Sequence, residues 1–353
     1  MLDIFNQIDV LIITQHENKK YVSGFKGSES LVALLPDDVL FITDGRYKTA
    51  VKNDLKPEVN AYITETGQSH FAKLVEVLKE KNLGRIGIEA NNMTVGMYEQ
   101  LKKEFDSAEF VSTFDVIEGL REIKTEQELD LIKAAVRITD KTFGYVTENI
   151  KPGMTEIEVR NMVDQAHFNF GGERLSFDTI VASGPNGALP HAKPGNRVIE
   201  SGDMVTIDFG CFKDEYCSDM TRSFFVGEAT NEKLIEIHNI VYKAWETQIA
   251  SAKAGMTGHE LDKIGRDIIE QAGYGEYFIH GTGHSLGLEV HENPRVAKGW
   301  HSKLLPGHVV TIEPGIYVEG IGGVRIENDI IIREGGCESL NTSNPNFDVA
   351  IKG

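Results

Sequence analysis

Val205-Thr206-Ile207-Asp208-Phe209-Gly210 returns near the end of the chain as Val310-Thr311-Ile312-Glu313-Pro314-Gly315. Each copy is an apolar strand ending in a carboxylate, with Gly two residues later. A second acid follows each one, Asp219 after Asp208 and Glu327 after Glu313. The repeat extends outward from there. Lys151-Pro152-Gly153-Met154-Thr155 recurs as Lys253-Ala254-Gly255-Met256-Thr257, and Glu158 is matched by Glu260. Gly187, His191 and Pro194 correspond to Gly287, His291 and Pro294. The offset drifts between 100 and 108 residues, so loops differ while the order of elements persists. That period exceeds the roughly 20–50 residues of solenoid arrays and fits an internally duplicated domain. Four carboxylates then converge on a pseudo-twofold axis, and such charges need cations between them.

The 353 residues suit two domains, and 41% hydrophobic with 25% charged residues is ordinary globular composition. A net charge of −18 argues against nucleic acid as a partner, because phosphate binding needs a basic footprint. Cys211, Cys217 and Cys337 lack zinc or redox spacing and suit a reducing compartment. The N-terminal segment has no signal-peptide pattern, and no run reaches the 18 or so apolar residues of a membrane span. The expected location is cytoplasmic, with no membrane partner.

Residues 1–123 read as a small α/β domain. Val10–Thr14, Leu31–Leu35 and Val39–Thr43 are short apolar strands, with another around Ile86 and Ile88. Phe71, Leu74, Val75 and Leu78 carry the i, i+3, i+4, i+7 stripe of a helix. Asp44-Gly45-Arg46-Tyr47 reads as a turn with a salt bridge, a place near a substrate being the alternative. From Lys124 onward, Thr125-x-x-Glu128 and Thr155-x-x-Glu158 are capping boxes that open two helices. Leu234–Ala252 and Thr257–Ala272 repeat that plan, and strands follow each pair. Residues 124–353 therefore read as an α+β domain, a curved antiparallel sheet backed by helices.

A two-residue turn at Lys213-Asp214 would put Asp208 directly opposite Asp219, with Cβ atoms roughly 4.5–5.5 Å apart. The same count about Gly320 puts Glu313 opposite Glu327; a single bulge on either strand would undo the alignment. Acids at solvent-facing strand ends are the plain alternative, and two equivalent pairs in a repeat speak against it. The Gly-rich stretch His280–Glu292 adds three histidines, His280, His284 and His291. Glycines there allow the backbone to bring side chains into a tight site.

The run His280–Glu292, with Asp208, Asp219, Glu313 and Glu327 at these spacings, resembles the pita-bread metallopeptidases. Among them it is most similar to prolidases and aminopeptidases P, and the resemblance covers the whole chain. It departs from the family pattern at Ser285, where Gly is usual, and at Glu289, where Asp is frequent. The resemblance implies a duplicated pita-bread catalytic domain, 124–353, preceded by a creatinase-like N-terminal domain, 1–123. It implies two divalent ions, with Asp208 on one, Asp219 and Glu327 bridging both, and His284 and Glu313 completing the second. An oxygen-rich set with one imidazole suits Mn²⁺, or Co²⁺, better than structural zinc. By the same resemblance Glu313 shuttles a proton, and His191 and His291 bind substrate and steady the oxyanion. His280 shapes the pocket, and Arg325 lies on the face of Glu327 as partner of a carboxylate.

The implied activity is hydrolysis of Xaa-Pro bonds in small peptides by a homodimer. Arg295 resembles a prolidase arginine that binds a dipeptide's carboxylate, which favours a dipeptidase; it reads equally as a surface arginine. An aminopeptidase P taking longer peptides stays open. A metal-free creatinase-like hydrolase and a non-catalytic peptidase-like binding module are more distant.

Overall fold

The computed structural model describes residues 2–81 and 83–349. Contacts divide the chain into two units, 1–121 and 122–353.

The first unit is built on a six-stranded mixed sheet in the order Val59–Ile63, Val39–Thr43, Leu31–Leu34, Val10–Ile13, Arg85–Glu89, Glu109–Thr113. The central strand Val10–Ile13 pairs antiparallel with one neighbour and parallel with the other. Val10 and Ile12 join one apolar cluster and Leu11 and Ile13 another, so the strand is buried on both faces. The edge strands Val59–Ile63 and Glu109–Thr113 escape sequence reading because an edge is half exposed: no residue of the first is buried, and only Thr113 of the second. Asp44 caps a short turn, Gly45–Tyr47. Its oxygens accept from Arg46 Nε at 3.0 Å and Nη2 at 2.8 Å, and hydrogen bonds from that side chain hold the carboxyl well below the usual carboxylate range. The salt-bridged turn expected there is present.

The second unit is antiparallel throughout. Met220–Val226, Asp203–Phe209 and Ile180–Ser183 form one sheet. Glu292–Val296, Gly283–Ser285, Val309–Ile312, Asn328–Arg333 and Gly336–Ser339 form the other large one. The helices Glu126–Asn149 and Glu156–Asn169 belong to the first half, Glu232–Ser251 and Gly258–Gln271 to the second. Capping boxes at Thr125, Thr155 and Thr257 start three of them. Val159 and Val163 pack on Val205, Ile207 and Phe224 in one apolar cluster. Leu261 packs on Val310, Ile312 and Ile330 in another. Each such fully buried side chain contributes about 1.5–3 kcal/mol.

The duplication is visible in hydrogen bonds. Gly153 N donates to Ile199 O at 2.8 Å, and Ile199 N donates to Met154 O at 2.8 Å. In the second half Gly255 N donates to Leu304 O at 2.9 Å, and Leu304 N to Met256 O at 2.7 Å. Both glycines have positive φ, 94° and 89°, which other L residues rarely adopt.

One hairpin differs from the sequence reading. Its turn is Asp214-Glu215, with φ of 47° and 75°, and Lys213 pairs with Tyr216. Asp208 therefore faces Thr221, and Asp219 lies two residues earlier along that strand. Neither turn residue is Gly or Asn, so the left-handed turn carried no signal, and placing it one residue early shifted the register by two. A shift of two keeps every side chain on its face, so Asp219 still points to the side of Asp208. In the second half the register about Gly320 is as expected: Gly315 pairs with Arg325 and Ile312 with Asn328, which leaves Glu313 and Glu327 opposed between them.

Candidate metal centre and active site

A cavity of about 710 Å³ opens in the second unit, within the usual range for small-ligand sites. All ten residues singled out from the sequence line it: Asp208, Asp219, His284, Glu313 and Glu327, with His191, His280, His291, Arg295 and Arg325.

Asp208 is the penultimate residue of the strand Asp203–Phe209, and Asp219 immediately precedes the partner strand Met220–Val226. His284 sits in the middle of Gly283–Ser285, where a Cβ on Gly283 would collide with the Thr311 carbonyl. That glycine lets the two strands close on each other. Glu313 and Glu327 occupy the junctions that follow Val309–Ile312 and Gly322–Arg325. Ligand-type atoms of Asp219, His284 and Glu327 all lie within 4.8 Å of one another. Glu313 Oε1 is 3.4 Å from His284 Nε2.

Burial and mutual repulsion both act on these acids. Burial first, and then Glu327 and Asp208, push the Asp219 carboxyl well above the usual range. Burial, Glu313 and Asp208 do the same to Glu327. Burial lifts Glu313 to about 8. Burial lowers His284 to about 3, so its imidazole is neutral. His284 Nδ1 lies 3.2 Å from the Ser285 carbonyl. Donation there leaves the Nε2 lone pair facing the acids, the arrangement of a metal-ligating histidine. Asp208 Oδ1 and Asp219 Oδ1 are buried without a hydrogen-bond partner among the described residues. Uncompensated buried charges cost several kcal/mol each. Four carboxylates, one lone-pair nitrogen and two orphaned oxygens fit divalent cations with a preference for oxygen ligands.

Arg325 supplies positive charge from the side. Its Nη2 donates to Asp208 Oδ2 at 2.7 Å, its Nε to Thr221 Oγ1 at 3.0 Å and its Nη1 to Tyr317 OH at 2.8 Å. Burial opposes its charge, but Tyr317, Asp208 and Glu313 outweigh that and hold its pKa well above the ordinary value. His280 Nε2 lies 2.8 Å from the same Tyr317 hydroxyl. His291 packs its ring edge-on against His284, with centroids 4.4 Å apart. Arg295 is the cross-strand neighbour of His284.

Three residues of this site escaped sequence reading. Tyr317 links His280 to Arg325; Thr221 donates to Glu327 Oε2 at 2.6 Å; Asp329 Oδ2 accepts the Asp219 backbone N–H at 3.0 Å. Thr221 and Asp329 lie two positions beyond a candidate ligand and Tyr317 four, so strand periodicity could have pointed to them. Ser285, where the family usually has Gly, is buried and accepts from Lys124 Nζ at 3.0 Å.

Residues 130–334 match the model of metallopeptidase family M24. The chain belongs to that family. Residues 6–123 match the creatinase/prolidase N-terminal domain. An Xaa-Pro dipeptidase of Pyrococcus furiosus is 39% identical over 95% of this chain and 94% of its own length. Among solved structures, an Xaa-Pro dipeptidase from Bacillus anthracis superposes with a TM-score of 0.94 at 40% identity, covering 98% of this chain and 96% of that one. An X-Pro aminopeptidase from Thermotoga maritima superposes at 0.90 with 36% identity, over 96% and 97%. The pita-bread architecture expected from the sequence is thereby established. Among the described residues no helix is long and apolar enough to cross a membrane.

Proposed function

We propose that this protein is a dinuclear Xaa-Pro dipeptidase. The observation that carries this reading is the placement of Arg295 directly across the strand from His284, on the wall of the cavity that holds the acids. A guanidinium there is placed to take the carboxylate of a short peptide whose scissile bond lies over the acids. Proline at the second position fits the chemistry, because its amide has no N–H for a general peptidase to hold.

In this reading Asp208, Asp219, His284, Glu313 and Glu327 hold the two ions, Mn²⁺ being preferred by so oxygen-rich a set, with Co²⁺ a substitute. The ions, when bound, supply Lewis-acid polarisation of the scissile carbonyl and activation of water. Glu313, 3.4 Å from His284 among the acids, would take the proton of the attacking water and deliver it to the leaving proline nitrogen. His191 and His291 face the oxygen that becomes anionic, and His280 closes the pocket against Tyr317. Arg325 holds Asp208 in orientation.

We place the domain boundary after Ile123, and read the protein as a cytoplasmic homodimer. A second reading, an aminopeptidase P for longer peptides, is favoured by the 710 Å³ cavity. The test is a panel of Xaa-Pro, Xaa-Pro-Yaa and Xaa-Ala peptides with Mn²⁺-loaded protein. Preference for Xaa-Pro supports the dipeptidase, preference for Xaa-Pro-Yaa moves the assignment to the aminopeptidase, and cleavage of Xaa-Ala alone contradicts both.

A further inference from the structure

In each half of the catalytic unit, the second helix carries an acid–arginine pair at i, i+4. In Glu156–Asn169 it is Arg160 and Asp164, at 3.6 Å. In Gly258–Gln271 it is Asp262 and Arg266, at 2.8 Å. The two pairs are 102 residues apart, the same offset as Thr155 and Thr257, and the charges are exchanged. Each acid also takes a threonine: Thr179 Oγ1, on the cavity wall, donates to Asp164 Oδ1 at 2.6 Å, and the buried Thr282 Oγ1 to Asp262 Oδ1 at 3.0 Å.

The exchange of charges has a structural consequence. In the second half the arginine stands one turn farther along the helix, beneath the loop Phe278–Thr282. Arg266 Nη1 donates to Phe278 O at 3.0 Å and Nη2 to His280 O at 2.8 Å, while its Nε and Nη2 also hold both oxygens of Asp262. Asp262 Oδ1 accepts the Thr282 N–H at 3.0 Å. The guanidinium lies 4.2 Å from the centroid of the Phe278 ring. Thr282 O in turn accepts the backbone N–H of Glu313 at 2.7 Å. The loop that carries His280, and the residue that bears the Glu313 carboxylate, are thus fastened to one pair, a buried Asp262 and a partly buried Arg266. In the first half the arginine has the other place and only Thr179 is held.

We infer that Asp262 and Arg266 are a positioning pair that sets His280 and Glu313 in register for the reaction. They touch neither substrate nor ions, and the first-half pair Arg160–Asp164 has no such role. A fork of five donors is what lets one side chain serve a carboxylate and two carbonyls; lysine cannot.

The kinetic part of the test rests on the peptidase reading, and the hydrogen-exchange part does not. In metal-loaded Arg266→Met protein, the amides of Thr282 and Glu313 should exchange about tenfold faster or more, while those of Phe177–Ile180 stay as in the wild type. On the preferred Xaa-Pro peptide kcat should fall by about 10- to 100-fold, the scale of a misplaced catalytic group, with KM little changed. Arg160→Met, which removes the equivalent ion pair, should leave kcat within about twofold. Arg266→Lys keeps the charge beside Asp262, so it should recover most of the thermal stability and little of the kcat. It also keeps the test open if the methionine variant does not fold. Equal kinetic losses in Arg160→Met and Arg266→Met, full kcat in Arg266→Lys, or unchanged exchange at Thr282 and Glu313 would each overturn the inference. A wild-type protein inactive on every peptide would sink the functional reading instead, and the exchange result would stand by itself.

Discussion

Replacing Arg325 with Met separates the cost of the buried acids from the contribution of the ions. Arg325 is 4% exposed and donates to Asp208 Oδ2 at 2.7 Å, Tyr317 OH at 2.8 Å and Thr221 Oγ1 at 3.0 Å. Methionine fills part of the volume and removes all three donors. Breaking one side of a buried pair costs about 3–5 kcal/mol, because the other charge is left uncompensated. For a unit of this size each kcal/mol moves Tm by about 2–4 °C, so the metal-free variant should melt roughly 6–20 °C below metal-free wild type. With Mn²⁺ bound, Asp208 has a cation of its own and the gap should shrink to less than half. Differential scanning calorimetry of both proteins, stripped and loaded, reads the two gaps, taking the transition of residues 122–353. A gap that is the same with and without Mn²⁺ would refute the argument, since it would mean that Asp208 gains no counter-charge from the ion.

Two further outcomes follow from the same site. Arg295→Ala should lower kcat/KM on Xaa-Pro by about 10- to 150-fold, chiefly through KM, the size of one charge-assisted hydrogen bond of roughly 1.5–3 kcal/mol; tripeptides should lose much less, and equal losses would make Arg295 structural. Metal-free protein should become less stable as pH rises between about 6.5 and 8: burial holds the Glu313 pKa near 8, above its unfolded value, so the folded state favours the protonated acid and that stability is lost on ionisation. Asp219 and Glu327, also raised by burial, act in the same sense as Glu313, while His284 and His280, lowered to about 3 and 4, act in the opposite sense only below about pH 6.5; urea midpoints at pH 6.5 and 8 therefore read the buried acids together, and a midpoint that rises in metal-free protein contradicts the assignment.

The duplication and the cluster of candidate residues were legible because each rests on a rule with a fixed period. Matching glycines at 153 and 255 mark the same left-handed turn in both halves, and capping boxes announce the helices. The register around Gly320 was legible because a turn glycine marks its centre, with φ of 77°. Around Asp214-Glu215 no residue marked it, and the pairing of Asp208 was misplaced by two. Tyr317 and Thr221 were hidden for another reason. They are ordinary strand residues whose meaning comes from what distant segments place beside them, His280 for Tyr317 and, from the other half of the domain, Glu327 for Thr221. Asp262 and Arg266 look like any solvated helix pair until the loop Phe278–Thr282 is folded over them.

The central claim is that Asp219, Glu327 and their neighbours hold ions without which no peptide bond is cleaved. Its most direct test is a titration of exhaustively stripped protein with Mn²⁺, reading bound metal and Xaa-Pro hydrolysis on the same samples. The account predicts no turnover at zero metal, full turnover as occupancy reaches two ions per chain, and loss of both in Asp219→Ala and Glu327→Ala. Undiminished hydrolysis by metal-free protein would contradict it.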